Sequence, residues 1–215
     1  MEKRGLTDAL LASGATPDDL IGFGDEVRIT LHGTLARVIV PRGTVVRQVC
    51  QGQRVGVTLA LCVEGIYGTL SWEWLAGMHQ QEIRRAVTRW NVDGFDAVVW
   101  DNASSHLPEE VAHGGLPLVS QPVYSPELNP AERVNEEIRR CLKGKTFRTL
   151  DDKVLVVENQ LRRWKANPAF IQRLCGYYWI EDCINLFDHL YHRDAEQAAC
   201  GEERLAYECE ERLAA

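Results

Sequence analysis

A chain of 215 residues, 45% hydrophobic and 26% charged, has the size and composition of one globular domain with its own core and room for a small helical appendage. Its longest near-apolar run, residues 55–63, falls well short of the ~18–20 residues that a membrane span needs. The opening segment has no long apolar stretch before a small-residue cleavage site, and the seven cysteines include no CxxC pair, so the expectation is a cytoplasmic protein with reduced thiols.

In chain order, residues 1–24 carry a short helical pattern at LTDALLA and a turn at GATPDD, a lead-in without room for a helix-turn-helix pair. Alternation then dominates. VRITL, ARVIV, VGVTLALCV and YGTLSWEW are rich in β-branched and aromatic residues and are separated by glycine-bearing turns, which predicts an antiparallel set of strands. HQQEIRRAVTRWNV reads as an amphipathic helix with Ile83, Val87 and Trp90 on one side. FDAVVW has the apolar continuity of a buried central strand. A brief helix near PEEVAH leads to another strand in LPLVSQPV.

From Pro130 the pattern is helical: PAERVNEEIRRCLKG, LDDKVLVVENQLRRWKA, WIEDCINLFDHLYHR and AEQAACGEERLAYECEERL, punctuated by Pro168 and Gly201. The expected architecture is α/β, a mixed central sheet flanked by helices. A core spans 25–165 and an acidic helical extension spans 166–215.

The net charge of −7 is unevenly spread. Arg133 to Lys165 holds ten Lys/Arg against five Asp/Glu, whereas Glu181 to Ala215 holds ten Asp/Glu against three Arg. The tail thus accounts for the negative balance. The middle is basic where a phosphate backbone would lie, with Arg133, Arg139, Arg140, Lys143 and Lys145 as the candidate DNA contacts or, more plainly, a solvated helix face.

Three carboxylates stand out: Asp25 opening DEVRITLHG, Asp101 closing FDAVVWD, and Glu132 in YSPELNPAERVNEE. Each has an ordinary reading. Asp101-Asn102 suits a turn after a strand, Asp25 a strand edge, and Asn129, Pro130 and Glu132 an N-x-x-E capping box. Together they describe a site: two strand-borne aspartates at the rim of a sheet and a glutamate on the first turn of a helix above it. Alternation turns Glu26 to the opposite face, so Asp25 is the expected ligand. Clustered carboxylates repel unless a cation neutralises them, and two hard divalent cations about 3.5–4 Å apart suit phosphoryl displacement. His189, His192, Cys200 and Cys209 lack the paired short spacings of a zinc site. Trp72, Trp74 and Trp100 sit in strands, where core packing is the simpler role than base stacking.

The segments DEVRITLHG…VPRGT, VVWDNASSH and YSPELNPAERVNEEIRR resemble the three signatures of DDE transposases, in the bacterial insertion-sequence branch of the mariner-like superfamily. The resemblance covers roughly residues 23–165. It implies an RNase H-like catalytic core that uses two Mg²⁺ (or Mn²⁺) ions to cleave DNA at transposon ends and join the freed 3′-OH to target DNA. It assigns Asp25, Asp101 and Glu132 as catalytic metal ligands and Asn102, His106 and Asn129 as accompanying motif positions. It also implies DNA partners (element ends and target), a homodimer when active, and a bacterial, nucleoid-associated location. Val134 and Asn135 stand where the family commonly places a tryptophan a few residues after the glutamate, and the Asp101–Glu132 interval is a few residues short. Family members normally read their ends with N-terminal helices, so the resemblance leaves three expectations: half of a frameshifted element with a separately encoded DNA-recognition polypeptide, a truncated product, or a repurposed core. The alternative is an inert or repurposed remnant acting as a DNA-binding or protein-interaction module.

Overall fold

Strand β1 (Ile21–Thr30) is the axis around which this computed structural model is built. It pairs antiparallel with β2 (Gly56–Glu64), from Phe23 opposite Val63 to Thr30 opposite Gly56. On its other side it pairs parallel with β4 (Ala97–Trp100), from Ile21 opposite Ala97 to Phe23 opposite Val99. β3 (Thr69–Leu75) and β5 (Leu118–Ser120) extend this to a five-stranded mixed sheet in the order β3-β2-β1-β4-β5. Helix α2 (Gln80–Val92) carries the chain from the β3 edge to β4. The remaining helices are α1 (Glu2–Ala12), α3 (Ala131–Leu142), α4 (Leu150–Lys165), α5 (Pro168–Cys175) and α6 (Tyr178–Leu213). The structure describes the backbone of residues 2–32, 39–45, 47, 53–101, 115–121 and 129–213, and the side chains of these from 5 to 195.

Strand alternation sorts the core into two layers. Phe23, Val27 and Ile29 of β1, with Leu59, Leu61, Val63, Ala97 and Val99, pack under Val134 and Ile138 of α3, Val157 and Leu161 of α4 and Ile171 of α5. Leu6 and Leu10 of α1 and Ile180, Cys183 and Phe187 of α6 join this same layer. On the opposite face Ala60, Cys62, Leu75, Val98 and Trp100 meet Ile83, Ala86, Val87 and Trp90, the i, i+3, i+4, i+7 stripe of α2. Trp90 and Trp100 lie against each other, ring centres 4.7 Å apart.

Two helices fasten β1 directly. Lys153 of α4 is buried and its Nζ donates to the carbonyls of Thr30 (2.7 Å) and His32 (3.1 Å), holding the far end of the strand. Helix α4 is itself fixed by a reciprocal capping box between Thr149 and Asp152. The near end is tied by α3, as described below. Among the described residues no helix is long and apolar enough to cross a membrane.

Several sequence expectations need correction. Asp25 does not open β1; it is the fifth of ten residues, because Gly22 and Gly24, which look like turn residues, lie inside the strand. Their missing side chains make room for neighbours: a Cβ on Gly22 would stand 2.3 Å from Cys62 Sγ, and one on Gly24 3.1 Å from the Trp100 ring. The ARVIV strand does not reach Ile39 and Val40, which are exposed and outside any strand; its earlier residues, like the PEEVAH helix, lie outside the described residues. Gly201 does not divide the tail, since α6 runs through it as one helix. Pro168 starts the unexpected α5 at its N-terminus, where Asn167 caps Phe170 N–H.

Candidate functional site

The parallel pairing of β1 and β4 ends at Phe23 and Val99. Two residues beyond that last pair stand Asp25, still inside β1, and Asp101, the first residue after β4, both in the alternation phase of the α3 face. Adjacent strands lie about 4.8 Å apart, so the register sets both aspartates just past the carboxyl end of the paired region, where open α/β sheets bind ligands. Asp25 is half-buried and Asp101 exposed.

Helix α3 brings Glu132 to this rim. Asn129, just before the helix, is buried and bonds in two directions: its Oδ1 accepts from Ala131 N–H (3.0 Å) and its Nδ2 donates to the carbonyl of Gly24 (2.8 Å). The expected N-x-x-E capping box is absent. The Asn129 side chain caps one residue earlier than expected and uses its amide to pin the helix start to β1 beside Asp25. Glu132, in the first turn, is exposed. Asn102 and His106 lie outside the described residues.

A residue that the sequence did not single out completes the arrangement. Asn135, one turn after Glu132, is 1% exposed, and its Nδ2 donates to Asp25 Oδ2 at 2.6 Å. Asp25 Oδ1 accepts from the Glu26 N–H at 2.9 Å. The only signal in the sequence was Asn135's place in a family position that usually carries a tryptophan; its contact spans 110 residues of chain and has no local signature.

Burial pushes the Asp25 carboxyl up to about 6; the bonds from Asn135 and Glu26 N–H oppose the rise, and the charges of Glu26 and Glu132 add to it. Among the described residues no basic side chain forms an ion pair with it. An all-oxygen donor set with a frustrated carboxylate at its centre fits a hard divalent cation. Among the described residues, no three His, Cys, Asp or Glu side chains are drawn together closely enough to hold a metal ion as they stand.

The basic residues of α3 and the turn after it, Arg133, Arg139, Arg140, Lys143 and Lys145, are all exposed. Arg133 is paired with Glu136 (2.8 Å) and Arg140 with Glu137 (2.6 Å), both within the helix. Trp100 is core. Trp72 and Trp74 are half-buried, with both indole N–H groups donating to Glu158 Oε2. His189 and His192 are exposed, and the side chains of Cys200 and Cys209 lie outside those described.

A five-stranded mixed sheet in the order β3-β2-β1-β4-β5, flanked by helices, is an RNase H-like α/β fold. The chain belongs to the DDE superfamily endonuclease family, whose model matches residues 21–153, more than half of its length. Among solved structures it is similar to the Mos1 strand transfer complex (18% identity, TM-score 0.55, covering 87% of this chain and 63% of the Mos1 chain). It is similar also to the Mos1 transposase paired-end complex with the left transposon end (22%, 0.54, 87% and 62%) and to the Mos1 mariner paired-end complex with Mn (21%, 0.53, 87% and 62%). At these identities the likeness concerns the fold, and the chain spans about three-fifths of the Mos1 length. No protein of curated function matches it.

Proposed function

We propose that this chain is the catalytic core of a metal-dependent DNA transposase that cleaves transposon ends and transfers the 3′-OH strand to target DNA. The observation that carries the reading is the placement of Asp25 and Asp101 two residues beyond the last parallel pair of β1 and β4, beside a helix start that Asn129 pins to β1 and that bears Glu132. Membership of the DDE endonuclease family and a fold shared with Mos1 transposase support it.

In this reading Asp25, Asp101 and Glu132 hold two Mg²⁺ or Mn²⁺ ions. Bound there, the ions supply Lewis-acid polarisation of the phosphodiester and an activated water or 3′-OH. Asp25 is the anchor because it is the half-buried member of the set and is held by two hydrogen bonds. Arg139, Lys143 and Lys145, together with Arg133 and Arg140 once released from their glutamates, meet DNA phosphates. Residues 25–165 carry the catalytic side chains, and 166–215 form an acidic helical segment whose Ile171, Ile180, Cys183 and Phe187 pack into the same core. The working form is a dimer that pairs two ends.

The test is nicking of supercoiled plasmid in Mn²⁺, followed by joining of pre-cleaved ends. Asp25→Asn, Asp101→Asn and Glu132→Gln should each lose at least ~100-fold in rate while remaining folded, in line with the worth of transition-state charge stabilisation. Undiminished nicking by Asp101→Asn would end the proposal.

A further inference from the structure

We infer that Asn135 is a positioning residue of the acidic site, fixing the Asp25 carboxylate in the orientation in which it receives a divalent cation. The inference rests on the reading of Asp25 as a metal ligand and adds to it a role for a side chain outside the carboxylate set.

Two independent observations carry it. The first is the bond itself. Asn135 Nδ2 meets Asp25 Oδ2 at 2.6 Å, while the Glu26 N–H holds Oδ1. An ionised carboxylate only accepts, so the amide nitrogen must face it, and with one donor on each oxygen the plane of the carboxylate is set. Lone pairs remain on both oxygens for a cation. Asn135 follows Glu132 by three positions, so the two are neighbours on the surface of α3. Outer partners of this kind orient ligands and typically account for about 10- to 100-fold in metal affinity.

The second observation is what the residue forgoes. Asn135 sits between Val134 and Ile138 on the apolar face of α3, and its Oδ1 is buried without a hydrogen bond among the described residues. A leucine would fill a similar volume there without an orphaned carbonyl. A side chain that leaves one buried polar atom unsatisfied in order to direct the other at a carboxylate is placed for that carboxylate rather than for stability.

The experiment titrates the full chain with Mn²⁺ alone, without DNA, by calorimetry, and records metal-free melting curves, for wild type, Asn135→Leu, Asn135→Ala and Asp25→Asn. The expected result is a Kd for Mn²⁺ about 10- to 100-fold weaker in both Asn135 variants. Asn135→Ala keeps the test open if leucine does not pack. Variants that melt lower yet bind Mn²⁺ as wild type does would overturn the positioning role and leave the metal site standing. Wild type and Asp25→Asn that bind equally, or not at all, would overturn the metal reading and this inference with it.

Discussion

Replacing Asp25 by asparagine should stabilise the metal-free protein at neutral pH, by an amount that vanishes in acid. In the folded chain the Asp25 carboxyl titrates at about 6, against 3.8 for a free side chain, because burial penalises its charge. The folded state thus holds this proton more tightly than the unfolded chain does. Its contribution is fully present below pH 3.8 and is lost as pH rises through about 6. At 1.36 kcal/mol per pH unit the difference is at most about 3 kcal/mol; allowing for partial solvent access, about 2 kcal/mol is the working figure. For a chain of this length that is a rise in Tm of about 4–8 °C at pH 7.5.

Asparagine keeps the shape and an acceptor for the Asn135 amide while removing the charge. Melting curves in EDTA from pH 3.5 to 8 should show wild type and Asp25→Asn together at the acid end, diverging between pH 4 and 6.5 and running parallel above it. Millimolar Mn²⁺ should then reverse the order, raising wild type by mass action and leaving the variant unmoved. Curves parallel across the whole range, or a variant less stable at pH 7.5, would refute the argument that charge burial at Asp25 is a cost the fold carries.

Gly22→Ala should lower stability by about 1–3 kcal/mol in a urea titration, because its new Cβ meets Cys62 Sγ and the Phe95 ring at 2.3–2.7 Å in a filled core. Wild-type binding to random-sequence duplex should be weak and fall steeply with salt. If Arg139, Lys143 and Lys145 each meet one phosphate, their joint replacement by alanine should flatten the log–log salt slope by about 2.7, equally for all sequences. An unchanged slope would remove this surface as the DNA contact.

Most elements were legible because their signals are local. The stripe of α2, the alternation of β2 and β3 and the apolar run of β4 need only a few neighbouring residues to declare themselves. The failures are of another kind. Gly22 and Gly24 resemble a turn until Trp100, Phe95 and Cys62 are seen to occupy the space beside them, and this moved Asp25 from the start of β1 to its middle. Gly201 costs only about 1 kcal/mol in a helix as long as α6, too little to end it. Ile39 and Val40 show a strand pattern without being strand. At the site, the carboxylates and Asn129 came from motifs, whereas Asn135 acts through a contact 110 residues away, as does the Asn129 amide over 105. Side chains whose value is created by tertiary approach leave no periodicity to read.

The distance between Asn129 and Gly24 along the chain also sets an order of events during synthesis. Strand β1 leaves the ribosome early, but the helix that orients Asp25 is made more than a hundred residues later, after the whole sheet. Long-range closures of this sort come late in folding. A chain ending before Asn129 would lack the Asn129 tie to Gly24, the Asn135 bond to Asp25 and the helices that cover this face of the sheet. The bond that orients Asp25 is therefore made only after α3 exists, whatever the state of the strands before it.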